Sequence, residues 1–212
     1  MLAVGVDAAR GGWIAVALED GAFADSVLER RLPGVLERFP DAVAIGVDVP
    51  IGLPPLGSRR RADEEARRVA GPRRSSVFFT PSRQALEALT YKEARALAPG
   101  TSAQGWALRT AILDAARVHD SRVHEVHPEV SFAALSGKPL TFAKRTWNGH
   151  RERVRLLAKA GIKIPDRLDA GIVAADDVLD ASVAAWTATR VARGEHMTLP
   201  ADPAAGEPVI HA

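Results

Sequence analysis

The sequence predicts one α/β domain built on a mixed sheet, and three observations carry that prediction. Its 212 residues match the usual size of a single compact domain. Two short apolar runs flank a glycine-containing turn at residues 8–12, as in an antiparallel strand pair, and a continuous run with β-branched residues at 42–48 reads as a strand buried on both faces. Beyond it, segments rich in Ala, Leu, Glu and Arg have the composition of helices.

Taken in order, residues 2–7 and 13–18 form the first two strands, and Glu19-Asp-Gly21 turns the chain into a third at 23–28. Pro33 leads a short helix over 33–39. The run 42–48 is a fourth strand with the pattern of a parallel one, and three prolines with Gly52 impose a rigid extended loop over 49–55 at its carboxyl end. Helices at 58–70 and 82–98, linked irregularly through 71–81, make a helical insertion over about 56–100. A longer amphipathic helix is expected over 104–120, with Trp106, Ile112, Leu113 and Val118 as its apolar positions. Residues 123–127 alternate like a strand until Pro128. An Arg-rich helix covers 149–160 and stops at Gly161. The last helix opens on Asp176, carries Leu179, Val183 and Trp186 as an apolar stripe, and closes with Arg190, Arg193 and Gly194. The Pro- and Ala-rich tail over 199–212 is expected to be flexible, which leaves 1–198 as the domain.

Composition narrows the function. Hydrophobic residues at 47% and charged residues at 25% exclude a disordered or fibrous chain. With no cysteine there is no disulfide, thiolate metal site or cysteine nucleophile, so any metal must rest on carboxylate or imidazole. No apolar run reaches the ~18–20 residues of a membrane span, and residues 1–6 lack the basic start of a signal peptide, so the expectation is a cytoplasmic protein with no membrane partner. The net charge of +2 is too small for a whole-molecule nucleic-acid field. Residues 59–74 nonetheless gather seven arginines against three acids.

The chemistry lies in acids placed at strand ends. Asp7 and Asp48 each terminate an apolar strand, and parallel neighbours would bring both carboxylates to the sheet edge where open α/β sheets place their sites. Asp177 and Asp180 are three residues apart and Asp176 and Asp180 four, so carboxylates share a face of the last helix. Asp176 and Asp177 also suit a first helical turn, whose dipole they complement, whereas Asp180 lies a full turn in. Clustered acids of this kind call for a divalent cation, and hard oxygen ligands select Mg²⁺ or Mn²⁺. Two such ions about 4 Å apart would activate a water and stabilise the leaving oxygen of a phosphodiester. Glu125 is a further candidate metal ligand, and Glu129 fits either the site or the first turn of a helix after Pro128. Unperturbed imidazoles titrate near neutral pH, and of His124 and His127 the latter, beside Glu129, is the candidate for proton transfer. On the substrate side, Arg10, Arg73, Arg74, Ser75, Ser76 and Lys144 are the candidates to hold phosphates, with Arg145 and residues 151–155 extending the patch. The same basic stretch also reads as a solvated helix face. At 5% aromatic residues, a stacking platform for single strands finds little support.

Gly5-Val-Asp-Ala-Ala-Arg-Gly-Gly-Trp13, Gly46-Val-Asp-Val-Pro-Ile-Gly-Leu53, Arg74-Ser-Ser-Val-Phe78, Glu125-Val-His-Pro-Glu129 with Phe132, and Asp176-Asp-Val-Leu-Asp-Ala181 resemble the successive motifs of domain-of-unknown-function family 429. Its members are predicted ribonuclease-H-like nucleases, and the resemblance spans residues 3–190. It implies a ribonuclease-H-like five-stranded mixed sheet flanked by helices, an antiparallel meander first and parallel strands after. It further implies a metal-dependent nuclease whose partner is nucleic acid, with Asp7, Asp48, Asp177 and Asp180 in the carboxylate places. Two rival functions stand beside it. A phosphotransferase or ATPase of the actin-like or sugar-kinase type would use the hairpin at 7–12, although the chain has no second glycine-rich phosphate loop. A non-enzymatic nucleic-acid-binding module is favoured if one of the acids points away from the others. The sequence leaves open whether the substrate is DNA, RNA, a branched structure or a nucleotide, and whether the chain forms a homodimer.

Overall fold

Strand β1 (Leu2–Ala9) pairs antiparallel with β2 (Gly12–Glu19), and β2 pairs antiparallel with β3 (Ala22–Glu29). In the computed structural model, which describes residues 1–168, 170 and 173–212, the meander continues through helix α1 (Leu32–Arg38) into β4 (Ala44–Val47). Strand β4 lies parallel to β1, and β5 (Val123–Glu125) lies parallel to β4. The five strands follow the order β3-β2-β1-β4-β5, the α/β mixed sheet with meander and parallel strands that the sequence predicts.

Alternation along each strand builds two layers. Val4, Val6, Trp13, Ala15, Ile45 and Val47 face one core, which α1 closes with Leu32 and Val35. Ile14, Val16 and Leu18 face the other, which also takes in Phe132, Leu157 and Val183. These last three come from α7 (Pro128–Ser136), α8 (Trp147–Lys159) and α9 (Ala175–Arg193).

Between β4 and β5 the chain is helical: α2 (Arg61–Ala70), a 3-10 turn (Gly71–Ser76), α3 (Arg83–Glu87), α4 (Tyr91–Leu97), α5 (Ala103–Ala107) and α6 (Arg109–Ala115). Helices α2, α3 and α4 fall within the expected insertion over about 56–100 and α5 and α6 in the helix expected over 104–120, but two expected helices are each broken in two. Residues 82–98 split where Thr90 turns extended to cap α4 with a capping box, its hydroxyl accepting from Glu93 N–H. Residues 104–120 split at Leu108, whose φ of −83° and ψ of 4° end α5.

The tail is not flexible as expected. Strands β6 (Thr198–Leu199) and β7 (Ile210–His211) pair antiparallel, and His211 bridges to Val126 beyond β5. Leu199, Ile210 and Ala212 bury themselves against Ala62, Ala66 and Ala70 of α2, so three apolar side chains outweigh the proline-rich composition around them. Among the described residues no helix is long and apolar enough to cross a membrane.

Glycine sets how closely α9 lies on the sheet. Ala3, Gly5 and Asp7 of β1 alternate onto the α9 face, as do Ala44 and Gly46 of β4 and Asp48 beyond it. A Cβ at Gly5 would stand 2.0 Å from Ala181 O and 2.0 Å from Ala185 N, and one at Gly46 would stand 2.7 Å from Ala184 O. The helix answers with its own small residues, Ala181, Ala184, Ala185 and Ala188, all fully buried. Gly5→Ala therefore forces α9 off the sheet and is expected to destabilise the protein by about 3 kcal/mol or more. That corresponds to a Tm lowered by roughly 6–12 °C in thermal denaturation followed by circular dichroism. An unchanged Tm would show that the helix does not need this approach.

Candidate functional site

Parallel pairing puts two acids side by side. Val6 is in register with Val47, and the Asp48 N–H donates to the Val6 carbonyl at 2.9 Å, so Asp7, which lies inside β1 rather than ending it, and Asp48, just past β4, stand side by side on the α9 face. The approach at Gly5 and Gly46 then brings in the first turns of α9. One carboxylate oxygen from each of Asp7, Asp48 and Asp180 lies within 4.8 Å of the others. Asp177 lines the same cavity but stands outside this triad, half-buried.

At this separation, two ionised carboxylates repel by about 3 kcal/mol at an effective dielectric of about 20. Burial, with repulsion from Asp48 and Asp180, holds the Asp7 carboxyl well above its ordinary range. Asp48 is raised in the same way by burial and by Asp180. Burial pushes Asp180 up to about 6 against the pull of Lys144. The Lys144 ammonium bonds Asp180 Oδ2 and stands 3.7 Å from Asp176 Oδ2. Against the opposing effect of burial, Asp180, Asp7 and Asp48 hold that ammonium above its usual range. Arg145 pairs with Asp176 at 3.0 Å. Burial and the neighbouring Asp176 raise the Asp177 carboxyl.

The triad forms part of a cavity of about 570 Å³. Arg73, Ser75 and Ser76 line it, as do Lys144 and Arg145. These residues fit a hard divalent cation. Asp180 is 2% exposed and its Oδ1 has no hydrogen-bond partner, an arrangement that is unfavourable unless a ligand completes it. Three oxygen donors of one sign suit Mg²⁺ or Mn²⁺.

A family model described as "Protein of unknown function (DUF429)" matches residues 5–205. The chain belongs to this family. No curated protein and no solved structure matches it. The part matched to DUF429 contains all three acids of the triad as well as Lys144.

Glu125, His127 and Glu129 line the same cavity, but their polar atoms bond other groups of the protein. Glu125, a candidate metal ligand, bonds Arg60 Nη2 at 2.6 Å through Oε1 and accepts the Ile51 N–H at 2.6 Å through Oε2. Both its oxygens are taken, and the pair ties the proline-rich loop to β5. Glu129, a candidate for catalysis, is bound by Arg153, whose Nη2 lies 2.9 Å from each carboxylate oxygen. His127 caps α7, its Nδ1 accepting the Glu129 N–H at 3.2 Å, and burial lowers its pKa to about 4. It is therefore neutral at physiological pH and occupied as a helix cap rather than free for proton transfer. Arg10 is exposed at the β1–β2 turn, and Arg74 belongs to a separate pocket beside Phe79. For Glu125 and Glu129 the local pattern does not show this engagement, because their arginine partners lie 65 and 24 residues away along the chain.

Arg153 falls in the stretch 151–155 expected to extend the phosphate-holding patch, but it turns inward. It is fully buried, and its Nη1 donates to the carbonyls of Phe142 at 3.1 Å and Gly149 at 3.0 Å, so the Glu129–Arg153 pair anchors the loop that carries Lys144. Gly149 permits this, since a Cβ there would lie 2.0 Å from Ala143 O. A signal for Arg153 was present in the sequence: Gly149, Arg153 and Leu157 share one face at four-residue spacing, and that face is buried.

The raised carboxyls set the pH dependence of the site. They hold protons more tightly folded than unfolded, so their contribution to stability falls as pH rises from about 4 through the raised folded values. A divalent ion binds only the ionised form and restores that stability. Mn²⁺ is expected to raise Tm at pH 8 and to lose this effect as pH falls through about 6, where Asp180 takes up its proton. Thermal-shift measurements across that range check it, and an Mn²⁺ shift that is equal at both ends would disconnect the ion from the triad.

Proposed function

We propose that this protein is a divalent-metal-dependent nuclease that hydrolyses phosphodiester bonds in the cytoplasm. The observation that carries the reading is the convergence of Asp7, Asp48 and Asp180, with an unpartnered Asp180 oxygen, in a cavity whose lining also presents cations and hydroxyls. In this reading Asp7, Asp48 and Asp180 hold Mg²⁺ or Mn²⁺. A divalent cation bound there would supply charge stabilisation for a phosphoryl transition state and water activation at neutral pH.

The remaining roles fall to the chain's own groups. Lys144 neutralises Asp180 and keeps a positive charge at the site. Arg73 donates to Ser76 Oγ at 3.2 Å, which presents a guanidinium and a hydroxyl together to a phosphate. Asp177 adds a further carboxylate to the cavity wall. A module that only bound nucleic acid would gain nothing from three clustered carboxylates, which repel phosphate. Their convergence therefore favours an enzyme.

The test is cleavage of single-stranded, duplex, hybrid and branched substrates with Mn²⁺ by wild type and by Asp7→Asn. Loss of one charge-stabilising ligand, worth several kcal/mol, is expected to slow cleavage on the order of a thousandfold. Equal activity in the two proteins, or none in either, overturns the assignment.

A further inference from the structure

Helix α8 has two opposed faces. Gly149, Arg153 and Leu157 are buried, and two residues out of phase with them Trp147, Arg151, Arg155 and Lys159 are all exposed. The four exposed residues recur every fourth position, about 6 Å apart along the axis, and make a stripe about 18 Å long. The stripe begins two residues past Arg145, which lines the acidic cavity. Trp147 is 76% exposed, with the Arg151 guanidinium 5.6 Å from its ring centre.

Apart from the contact between Arg151 and Trp147, neither the indole nor the three cations have a hydrogen-bond or ion-pair partner among the described residues. Among the described residues, Arg151, Arg155 and Lys159 make no ion pair, whereas Arg60, Arg61, Arg122, Arg145 and Arg153 all do. Like charges four residues apart on a helix repel one another, so an unpaired row of three is unfavourable for the helix itself. A polyanion relieves that repulsion. An indole this open stacks on a base only if the base face is free, which excludes paired bases inside a duplex.

We propose that this face of α8 is a track for one unpaired nucleic-acid strand, with Trp147 stacking a base next to the acidic cavity and Arg151, Arg155 and Lys159 following the phosphates away from it. The choice of partner rests on the nuclease reading of the acidic cavity, and it makes the substrate single-stranded or locally unpaired. Single-stranded DNA and RNA share the recognised chemistry.

The test is fluorescence anisotropy of labelled single-stranded DNA, single-stranded RNA and duplex DNA in EDTA, with the full-length protein as wild type, Trp147→Ala, and the triple variant Arg151→Gln, Arg155→Gln, Lys159→Gln. Wild type is expected to bind the single strands more tightly than the duplex. Trp147→Ala should weaken single-strand binding about tenfold, the scale of one lost stacking contact, and leave duplex binding unchanged. The triple variant should flatten the dependence of log K on log salt by about 2, from three phosphate contacts on a single strand. All substituted side chains are exposed, so unchanged Tm values verify that the variants are folded. Wild-type single-strand affinity in either variant, or no oligonucleotide binding by wild type, overturns the track. Cleavage of the same oligonucleotides with Mn²⁺ separates the two readings. Binding through the stripe without Asp7-dependent cleavage removes the nuclease and keeps the track, and Asp7-dependent cleavage with fully binding stripe variants does the reverse.

Discussion

The close seating of α9 on β1 and β4 is the constraint from which the rest of this molecule follows. Helices usually pack on a sheet through side chains, but here the backbone of α9 approaches strand positions that have no Cβ, Gly5 and Gly46. Each glycine lies two residues before an aspartate, so the residues that admit the helix and the residues that meet its acid lie on one face of the sheet. Had the helix stood further off on larger side chains, Asp180 would not reach Asp7 and Asp48.

That seating gathers charge of one sign in a buried place, which a stable fold avoids. Raised carboxyls and an unpartnered oxygen on Asp180 are the marks of the resulting electrostatic strain. Such local disagreement between charge and burial is characteristic of functional sites, where stability is given up for chemistry. The surroundings are correspondingly rigid. Two buried pairs, Arg60–Glu125 and Arg153–Glu129, hold the proline-rich loop and the Lys144 loop against strands and helices on either side. Removing one partner from either pair would leave an uncompensated buried charge, which makes each pair a fixture of the fold.

Helix α8 joins the two kinds of surface. Its inner face carries the arginine that anchors the Lys144 loop, and its outer face carries an indole and three cations that make no ion pair among the described residues. The composition, with 5% aromatic residues, argued against a stacking surface. A percentage cannot register that one tryptophan stands open beside a cavity while Trp13 is buried in the core.

The sequence by itself determined what short-range physics controls. Alternation and β-branching marked the strands, proline and glycine marked the loop after β4, and the acids ending two apolar runs marked Asp7 and Asp48. The spacing in the last helix marked Asp180, which lies too deep in the helix to serve its first turn. Only the tertiary structure decided which acids belong together. Glu125 and Glu129 look as much like ligands in the sequence as Asp180 does, but their arginine partners lie 65 and 24 residues away along the chain. Asp177 shares a helix face with Asp180 yet falls outside the triad. The tail, too, was settled at long range, by the apolar patch of α2 that receives Ile210 and Ala212. Local pattern fixes the direction in which a side chain leaves the backbone, whereas its partner depends on how distant segments pack.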